Sequence, residues 1–157
     1  MIIRRARESD LPEIVSILAG DTLGMAREDD SPALSASYLR AFRIVSADKN
    51  QTILVAETDE GEISGTLQLT FIQYLTYKGG LRAQAEAVFV RSDHRGKGIG
   101  TKLMNEAEKI ARERGAHLIQ LTTDKRRPDA KRFYEKLGYT ASHEGMKLHF
   151  KDLNTGN

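Results

Sequence analysis

A glycine-rich basic turn has the composition of an anion-binding site. It follows an apolar run, Val88-Phe89-Val90, that predicts the end of a buried strand. The turn reads Arg95-Gly96-Lys97-Gly98-Ile99-Gly100-Thr101, and a helical repeat of apolar residues follows directly. Glycines let backbone amides approach a ligand closely, and the first N–H groups of a helix have no internal partner. The sequence therefore predicts that this turn binds the phosphate groups of a ligand.

Two familiar phosphate-binding motifs do not fit this turn. A P-loop requires Ser or Thr directly after Gly-Lys, and here Gly98 follows Lys97. A dinucleotide-binding fingerprint that begins at Gly96 requires Gly or Ala at position 101, where this chain has Thr101. The ligand is therefore expected to be a phosphorylated compound of another class. The alternative is that the glycines only turn the chain.

Hydrophobic periodicity predicts one α+β domain over residues 1–157, with a core of about residues 1–150 and a C-terminal tail at 151–157. The predicted order is a strand, two helices, three strands, a helix, a strand, a helix and one or two closing strands. The closing strands are expected from Tyr139 onward and include Met146 to Phe150. The strand ending at Val90 and the strand His117 to Thr122 should be parallel, because a helix connects them.

Two motifs of this chain resemble those of the GNAT (GCN5-related) N-acetyltransferases. The pattern Arg95-x-x-Gly98-x-Gly100 after a Val-x-Val strand resembles their acetyl-CoA signature. The segment Ala130-x-x-Phe133-Tyr134-x-x-x-Gly138-Tyr139 is similar to a late motif of the family. The resemblance implies a GNAT-like (acyl-CoA N-acyltransferase) fold, a mixed central sheet flanked by helices.

The resemblance also implies how acetyl-CoA, the expected co-substrate, is held. Amides of the turn would bind the CoA pyrophosphate, and the edge of the preceding strand would pair with the pantetheine arm. The implied binding residues are Val88, Phe89, Val90, Arg95, Gly96, Lys97, Gly98, Ile99, Gly100 and Thr101. Many family members have Asn at the position of Arg127, which could instead contact a phosphate here; the alternative is that Arg127 belongs to a solvated basic loop.

Acetyl transfer to an amine requires a base for the ammonium proton and an acid for the departing thiolate. The resemblance assigns the acid to Tyr134, whose ordinary pKa of about 10 keeps the hydroxyl protonated. The alternative is a core aromatic residue on an apolar helix stripe. Glu86 is the candidate base, because it lies on the same strand face as Val88 and relatives place Glu there. The alternative for Glu86 is a structural ion pair with Arg82 or another base.

Two loops are expected beside the amine acceptor. Asp21 to Ser31 is acidic and would attract a cationic amine, although it could equally be a solvated loop. Gln73 to Leu81 contains Tyr74 and Tyr77, whose ring faces could hold an ammonium group. Arg82 leaves room for an amine that also carries a carboxylate or a phosphonate.

Composition excludes several classes of protein. The 157 residues suit one domain, and a net charge of +2 gives no argument for nucleic-acid or membrane binding. There is no cysteine and the four histidines lack metal-ligand spacing, so no metal is expected. Apolar runs are shorter than the roughly 20 residues of a membrane span, so cytoplasm is the expected location. The sequence is compatible with a homodimer and does not define the oligomeric state.

The leading hypothesis is an acetyl-CoA-dependent N-acetyltransferase that acetylates a primary amine of a small molecule by direct attack in a ternary complex. One alternative is a protein N-terminal or lysine acetyltransferase. Another is a non-catalytic regulator that binds acyl-CoA.

Overall fold

The computed structural model describes residues 1–20, 28 and 34–150. The described strands are β1 (Ile2–Arg5), β2 (Gln51–Glu57), β3 (Ile63–Gln73), β4 (Leu81–Val90) and β5 (Leu118–Leu121). The described helices are α1 (Leu11–Ala19), α2 (Ala36–Ala47), α3 (Thr76–Gly79), α4 (Ile99–Glu113) and α5 (Pro128–Lys136). Short 3-10 segments precede α1 at Glu8–Asp10 and follow β4 at Ser92–His94. The order of elements predicted from the sequence is confirmed through α5. The short helix α3 was not predicted from the sequence.

The described strands form one mixed sheet in the order β1-β2-β3-β4-β5. The neighbours β1 to β4 are antiparallel, whereas β4 and β5 are parallel and are connected by α4. The predicted α+β class and the parallel pair are therefore confirmed. The handedness and length of a helical crossover favour this parallel pairing.

Side-chain alternation divides β4 into two faces. Ala83 and Ala85 are buried on the face that packs against α4, together with Leu67 and Leu69 of β3. The intervening residues Arg82, Gln84 and Glu86 point to the opposite face, because successive side chains of a strand alternate. On that opposite face α1 packs over β3 and β4, and α2 packs over β2. Polar side chains of β4 therefore lie beside these helices.

The chain forms two compact units, Met1–Leu121 and Thr122–Asn157. The first contains the sheet and its flanking helices, and the second contains α5. The single-domain organisation over residues 1–157 remains a prediction. Within the described residues, no helix is both long and apolar enough to cross a membrane.

The predicted closing strands are wrong. Residues 139–150 contain no strand in the structure, and Met146, Leu148 and Phe150 are exposed. Their alternation is that of a strand with one apolar face. Alternation only specifies which side chains share a face, whereas a strand also requires a neighbouring edge to pair its N–H and C=O groups.

Candidate active site

The turn between β4 and α4 has the backbone conformation of an anion site. Gly96 and Gly98 both have φ of +77°, in the left-handed region that favours glycine. A Cβ built on either glycine would meet nothing within 4 Å, so the space beside both is open. Gly98 is the N-cap of α4, and no side chain in the described part of the chain caps this helix start. The first N–H groups of α4 therefore remain available to a phosphate.

The charged groups of the turn divide into paired and unpaired cations. Arg91 forms ion pairs with Glu62 and Asp93, each at 2.8 Å, so its charge is neutralised within the protein. Arg95 and Lys97 are exposed, and neither forms an ion pair with the described residues. The Arg95 Nε donates to the Val90 carbonyl at 3.2 Å, which holds this guanidinium at the end of β4. These two cations supply the positive field expected from the sequence.

The remaining residues of the predicted phosphate site contribute in different ways. Ile99 is 4% exposed, so its side chain anchors the start of α4 in the core and only its backbone could face a ligand. Gly100 and Thr101 are partly buried in the first turn of the helix. A small neighbouring pocket lies between the end of α1 and the end of β4. It is lined by Ser16, Ile17, Gly20, Val90, Arg91, Ser92 and Arg95.

The outer edge of β4 becomes free where β5 ends. Only Arg82–Ala85 pair with β5, whereas no described strand pairs with Glu86–Val90 on that side. A β-bulge occurs at the same level, because the register places Ala87 and Val88 opposite one residue of β3, Leu67. Ala87 has φ of +49°, an unusual value for a residue with a Cβ. The bulge redirects the strand and leaves its backbone N–H and C=O groups for an extended ligand to pair with.

Glu86 is held by a relay of two glutamine side chains. Its Oε1 accepts a hydrogen bond from the Gln84 amide at 2.7 Å, and the Gln84 carbonyl accepts one from the Gln120 amide at 2.7 Å. The carboxylate is exposed, and the ion pair with Arg82 that the sequence allowed does not form. Sequence reasoning missed Gln84 and Gln120. Gln84 could have been found from its spacing, but Gln120 requires the β4–β5 register.

The candidate acid Tyr134 lies in the second unit on α5. Its ring contacts Phe133 at 5.1 Å and Tyr139 at 5.9 Å between centroids. Burial raises the pKa of the Tyr134 hydroxyl, and the positive charge of Arg127 partly offsets that increase. The hydroxyl therefore stays protonated at neutral pH, and it has no hydrogen-bond partner among the described residues. A half-buried aromatic residue with an unpaired O–H fits a proton donor better than a fully packed core residue.

The two predicted acceptor loops have different outcomes. Of the acidic loop Asp21 to Ser31, only Glu28 lies within the described residues, and its carboxylate accepts a hydrogen bond from Tyr38 at 2.9 Å. In the loop Gln73 to Leu81, the ring of Tyr74 already carries a cation, because the Arg82 guanidinium lies 4.9 Å from its centroid. The Tyr77 ring stacks on His117 at 4.9 Å. Each tyrosine thus has one ring face engaged by the protein itself.

No group of three or more His, Cys, Asp or Glu residues that could hold a metal ion occurs in residues 1–20, 28 and 34–150. The strand β4 and the start of α4 offer backbone amides together with carboxylate, amide and guanidinium side chains.

Comparison with known proteins assigns the family. Residues 12–139 match the acetyltransferase (GNAT) family. A crystal structure described as a transcriptional regulator from Bacillus halodurans C-125 is 54% identical with a TM-score of 0.92, over 95% of this chain and 99% of that one. An uncharacterized N-acetyltransferase from Archaeoglobus fulgidus is 30% identical over 135 residues, 85% of this chain and 89% of that protein.

A shorter match concerns the aminoalkylphosphonate N-acetyltransferase of Salmonella typhimurium, which is 36% identical over 83 residues. This match spans 53% of each chain, about half the length of that relative. The family match and the relative from Archaeoglobus fulgidus agree with the open edge of β4 beside a glycine-rich helix start. The chain therefore belongs to the GNAT family of N-acetyltransferases.

Proposed function

We propose that this protein transfers the acetyl group of acetyl-CoA to the primary amine of a small molecule, by direct attack in a ternary complex. The proposal rests on three structural features that follow one another along β4 and into α4. These are the open edge of β4, the two left-handed glycines and the uncapped start of α4. The amide groups of an acyl-CoA can pair with the open edge of β4, and its phosphates can bind at the start of α4. The relative from Salmonella typhimurium is named for a small amine acceptor.

Glu86 would take the proton of the acceptor ammonium through a water molecule. The Gln84 amide occupies one carboxylate oxygen, and the second oxygen has no donor within the described residues. The exposed position of the carboxylate allows water to reach it. A positioned base of this kind contributes roughly 10²–10⁴-fold to the rate.

The acid and the oxyanion donor would come from Tyr134 and from the backbone of β4. The tyrosine hydroxyl would donate its proton to the sulfur that leaves as the amide bond forms. A backbone N–H near the end of the Val88–Val90 run would stabilise the negative charge on the carbonyl oxygen. Arg127 is proposed to contact a CoA phosphate, since a guanidinium forms strong hydrogen bonds with phosphate oxygens. The cytoplasmic location remains a prediction.

Two other functions can be separated from this proposal by turnover. A protein N-terminal or lysine acetyltransferase would acetylate peptides in preference to free amines. A non-catalytic acyl-CoA-binding regulator is favoured by the description of the Bacillus halodurans structure as a transcriptional regulator. Thiol release from acetyl-CoA across polyamines, amino acids, aminoalkylphosphonates and short peptides distinguishes the three. A regulator would bind acetyl-CoA without releasing thiol in the presence of any of them.

The variant Tyr134→Phe tests the proposed acid. We expect kcat to fall by about 100-fold while acetyl-CoA affinity changes little, because the hydroxyl acts only as thiolate develops. Because burial raises the pKa of Tyr134, wild-type activity should persist to higher pH than an ordinary tyrosine would allow, and this alkaline limb should change in the variant. The neighbouring Tyr139→Phe is the control for a change within the same aromatic cluster. Equal turnover in Tyr134→Phe and wild type would return Tyr134 to a packing role.

A further inference from the structure

Among the arginines in or beside the strands of the sheet, Arg82 differs from Arg4 and Arg91 in its partners. Arg4 forms ion pairs with Asp10 and Glu57. Arg91 likewise forms two ion pairs with carboxylates. Arg82 pairs with no acid among the described residues, although it is partly buried. A partly buried cation without a partner is costly unless a ligand supplies the opposite charge.

Packing fixes Arg82 in place. Its guanidinium lies over the Tyr74 ring at 4.9 Å, and its Nε is a buried donor without a hydrogen-bond partner in the described structure. Stacking on an aromatic ring holds a guanidinium without using its N–H groups. The donors of Arg82 are therefore oriented but unused, which is the arrangement expected of a binding group rather than of a structural ion pair.

The described groups that face Arg82 do not neutralise its charge. The His117 Nδ1 donates to the Leu81 carbonyl at 2.8 Å, and its Nε2 shares a hydrogen bond with the Tyr74 hydroxyl at 2.7 Å. An imidazole side chain brings no negative charge to Arg82. Gln84, the next residue on the same face of β4, is also neutral, and its amide is committed to Glu86. Within the described part of the chain, the neighbours of Arg82 therefore leave its positive charge uncompensated.

We propose that Arg82 binds an acidic group on the acceptor, so that the substrate is a primary amine that also carries a carboxylate or a phosphonate. This inference rests on the proposed function and specifies its substrate class. Arg82 and Glu86 lie on one face of β4, four residues apart, about 13 Å between Cα atoms. The amine would be placed near the Glu86 end and the acid near the Arg82 end. Both anions match the planar fork of a guanidinium.

Matched pairs of acceptors test this inference directly. Each pair consists of an ω-amino acid and its neutral carboxamide, over a series of chain lengths, with the ω-aminoalkylphosphonate as a third arm. We expect wild type to prefer the acid over the carboxamide by at least tenfold in kcat/KM for the best length. Arg82→Met should lower kcat/KM for the acid by roughly 10- to 100-fold and leave the carboxamide within threefold, since a hydrogen bond to a charged group is lost. Arg82→Lys should be intermediate. The phosphonate arm shows which acid the site prefers.

Arg114→Met is the matched control. Arg114 also lies over an aromatic ring, at 4.0 Å from the centroid of Phe71, but it belongs to the α4 face of the sheet. Its loss should leave the ratio of acid to carboxamide unchanged. Two outcomes would overturn the inference while leaving the proposed function intact. The first is an equal wild-type kcat/KM for the acid and the carboxamide of every pair. The second is an equal fall in kcat/KM for both members in Arg82→Met.

Absence of thiol release with any amine would instead contradict the proposed function. In that case, binding of the ω-amino acid to wild type and to Arg82→Met tests the role of Arg82. The ω-amino acid of best length should raise the melting temperature of wild type and not that of Arg82→Met. A shift of equal size in both proteins, or in neither, would overturn it.

Discussion

The two halves of β4 differ in their hydrogen bonding and in the groups they offer to a ligand. Its paired half, Arg82–Ala85, has strands on both sides and presents polar side chains on one face. Its open half, Glu86–Val90, pairs with β3 alone among the described strands and exposes its backbone on the other side. The paired half can position side chains accurately because both neighbours fix its backbone. The open half offers its own N–H and C=O groups because no described strand pairs with its outer edge.

This difference separates two tasks within a single strand. The paired half holds Arg82 and Gln84, which we associate with the amine acceptor. The open half leads into the glycine turn, which we associate with acetyl-CoA. Ala87 marks the junction, where the bulge changes the direction of the strand. Variants at the turn, at the glutamine relay and at the junction should therefore have separable effects on cofactor affinity, turnover and stability.

The largest effect is expected from Gly98→Val. The backbone would keep its left-handed turn only with strain, and the new side chain would occupy the open space beside the first N–H groups of α4. We expect acetyl-CoA affinity to fall by at least 100-fold, equivalent to about 2.7 kcal/mol, in a calorimetric titration. The acceptor end of β4 should be unaffected in structure.

Gly61→Val is the control for backbone strain. Gly61 has φ of +87° in the turn between β2 and β3, and its Cβ would also meet nothing within 4 Å. It should therefore lose a similar amount of stability and retain acetyl-CoA binding. If both variants lose acetyl-CoA binding equally, strain rather than the phosphate site explains the loss.

A smaller effect is expected at the glutamine relay. Glu86→Gln should change the acidic limb of the kcat/KM profile and lower kcat by about tenfold or more, because it removes the base. Gln84→Leu removes only the donor that orients the carboxylate, so the loss should be a few-fold, with acetyl-CoA affinity unchanged. Gln120→Leu should act in the same direction as Gln84→Leu and add little to it, since it acts through Gln84.

Gln68→Leu is the matched control for the relay. Gln68 lies opposite Glu86 in the β3–β4 register, but its amide donates to Gln51 instead. The pH profile of this variant should equal that of wild type. An unchanged profile in Gln84→Leu, with a changed one in Glu86→Gln, would show that the base works without the relay.

The smallest effect is expected at the junction and concerns stability. Ala87→Val places a β-branched residue at φ of +49°, which should lower the free energy of unfolding by about 1–2 kcal/mol in urea. Ala87→Gly should not show this loss, because glycine adopts positive φ readily, although it adds chain entropy to the unfolded state. Equal stability of the valine variant and wild type would mean that the bulge is not strained.

The strand–turn–helix unit could be read from the sequence because its determinants are local. The glycines at 96 and 98, the apolar run before them and the helical repeat after them all lie within about twenty residues. The crossover rule then gave the parallel pairing of β4 with β5. The candidate acid Tyr134 and base Glu86 were selected by motif, and their catalytic roles remain predictions.

The sequence by itself determined the order of the elements it predicted through α5 and the location of the glycine-rich turn before α4. The tertiary structure alone decided that Gln120 supports Glu86 through Gln84, since the two glutamines are 36 residues apart and meet only through the strand register. It also decided that Arg82 has no acid partner among the described residues, because pairing of a charge depends on all neighbours in space. For the same reason the alternating residues 146–150 were misread as a strand. A local pattern reports which side chains share a face, and only the folded chain shows whether a partner is beside them.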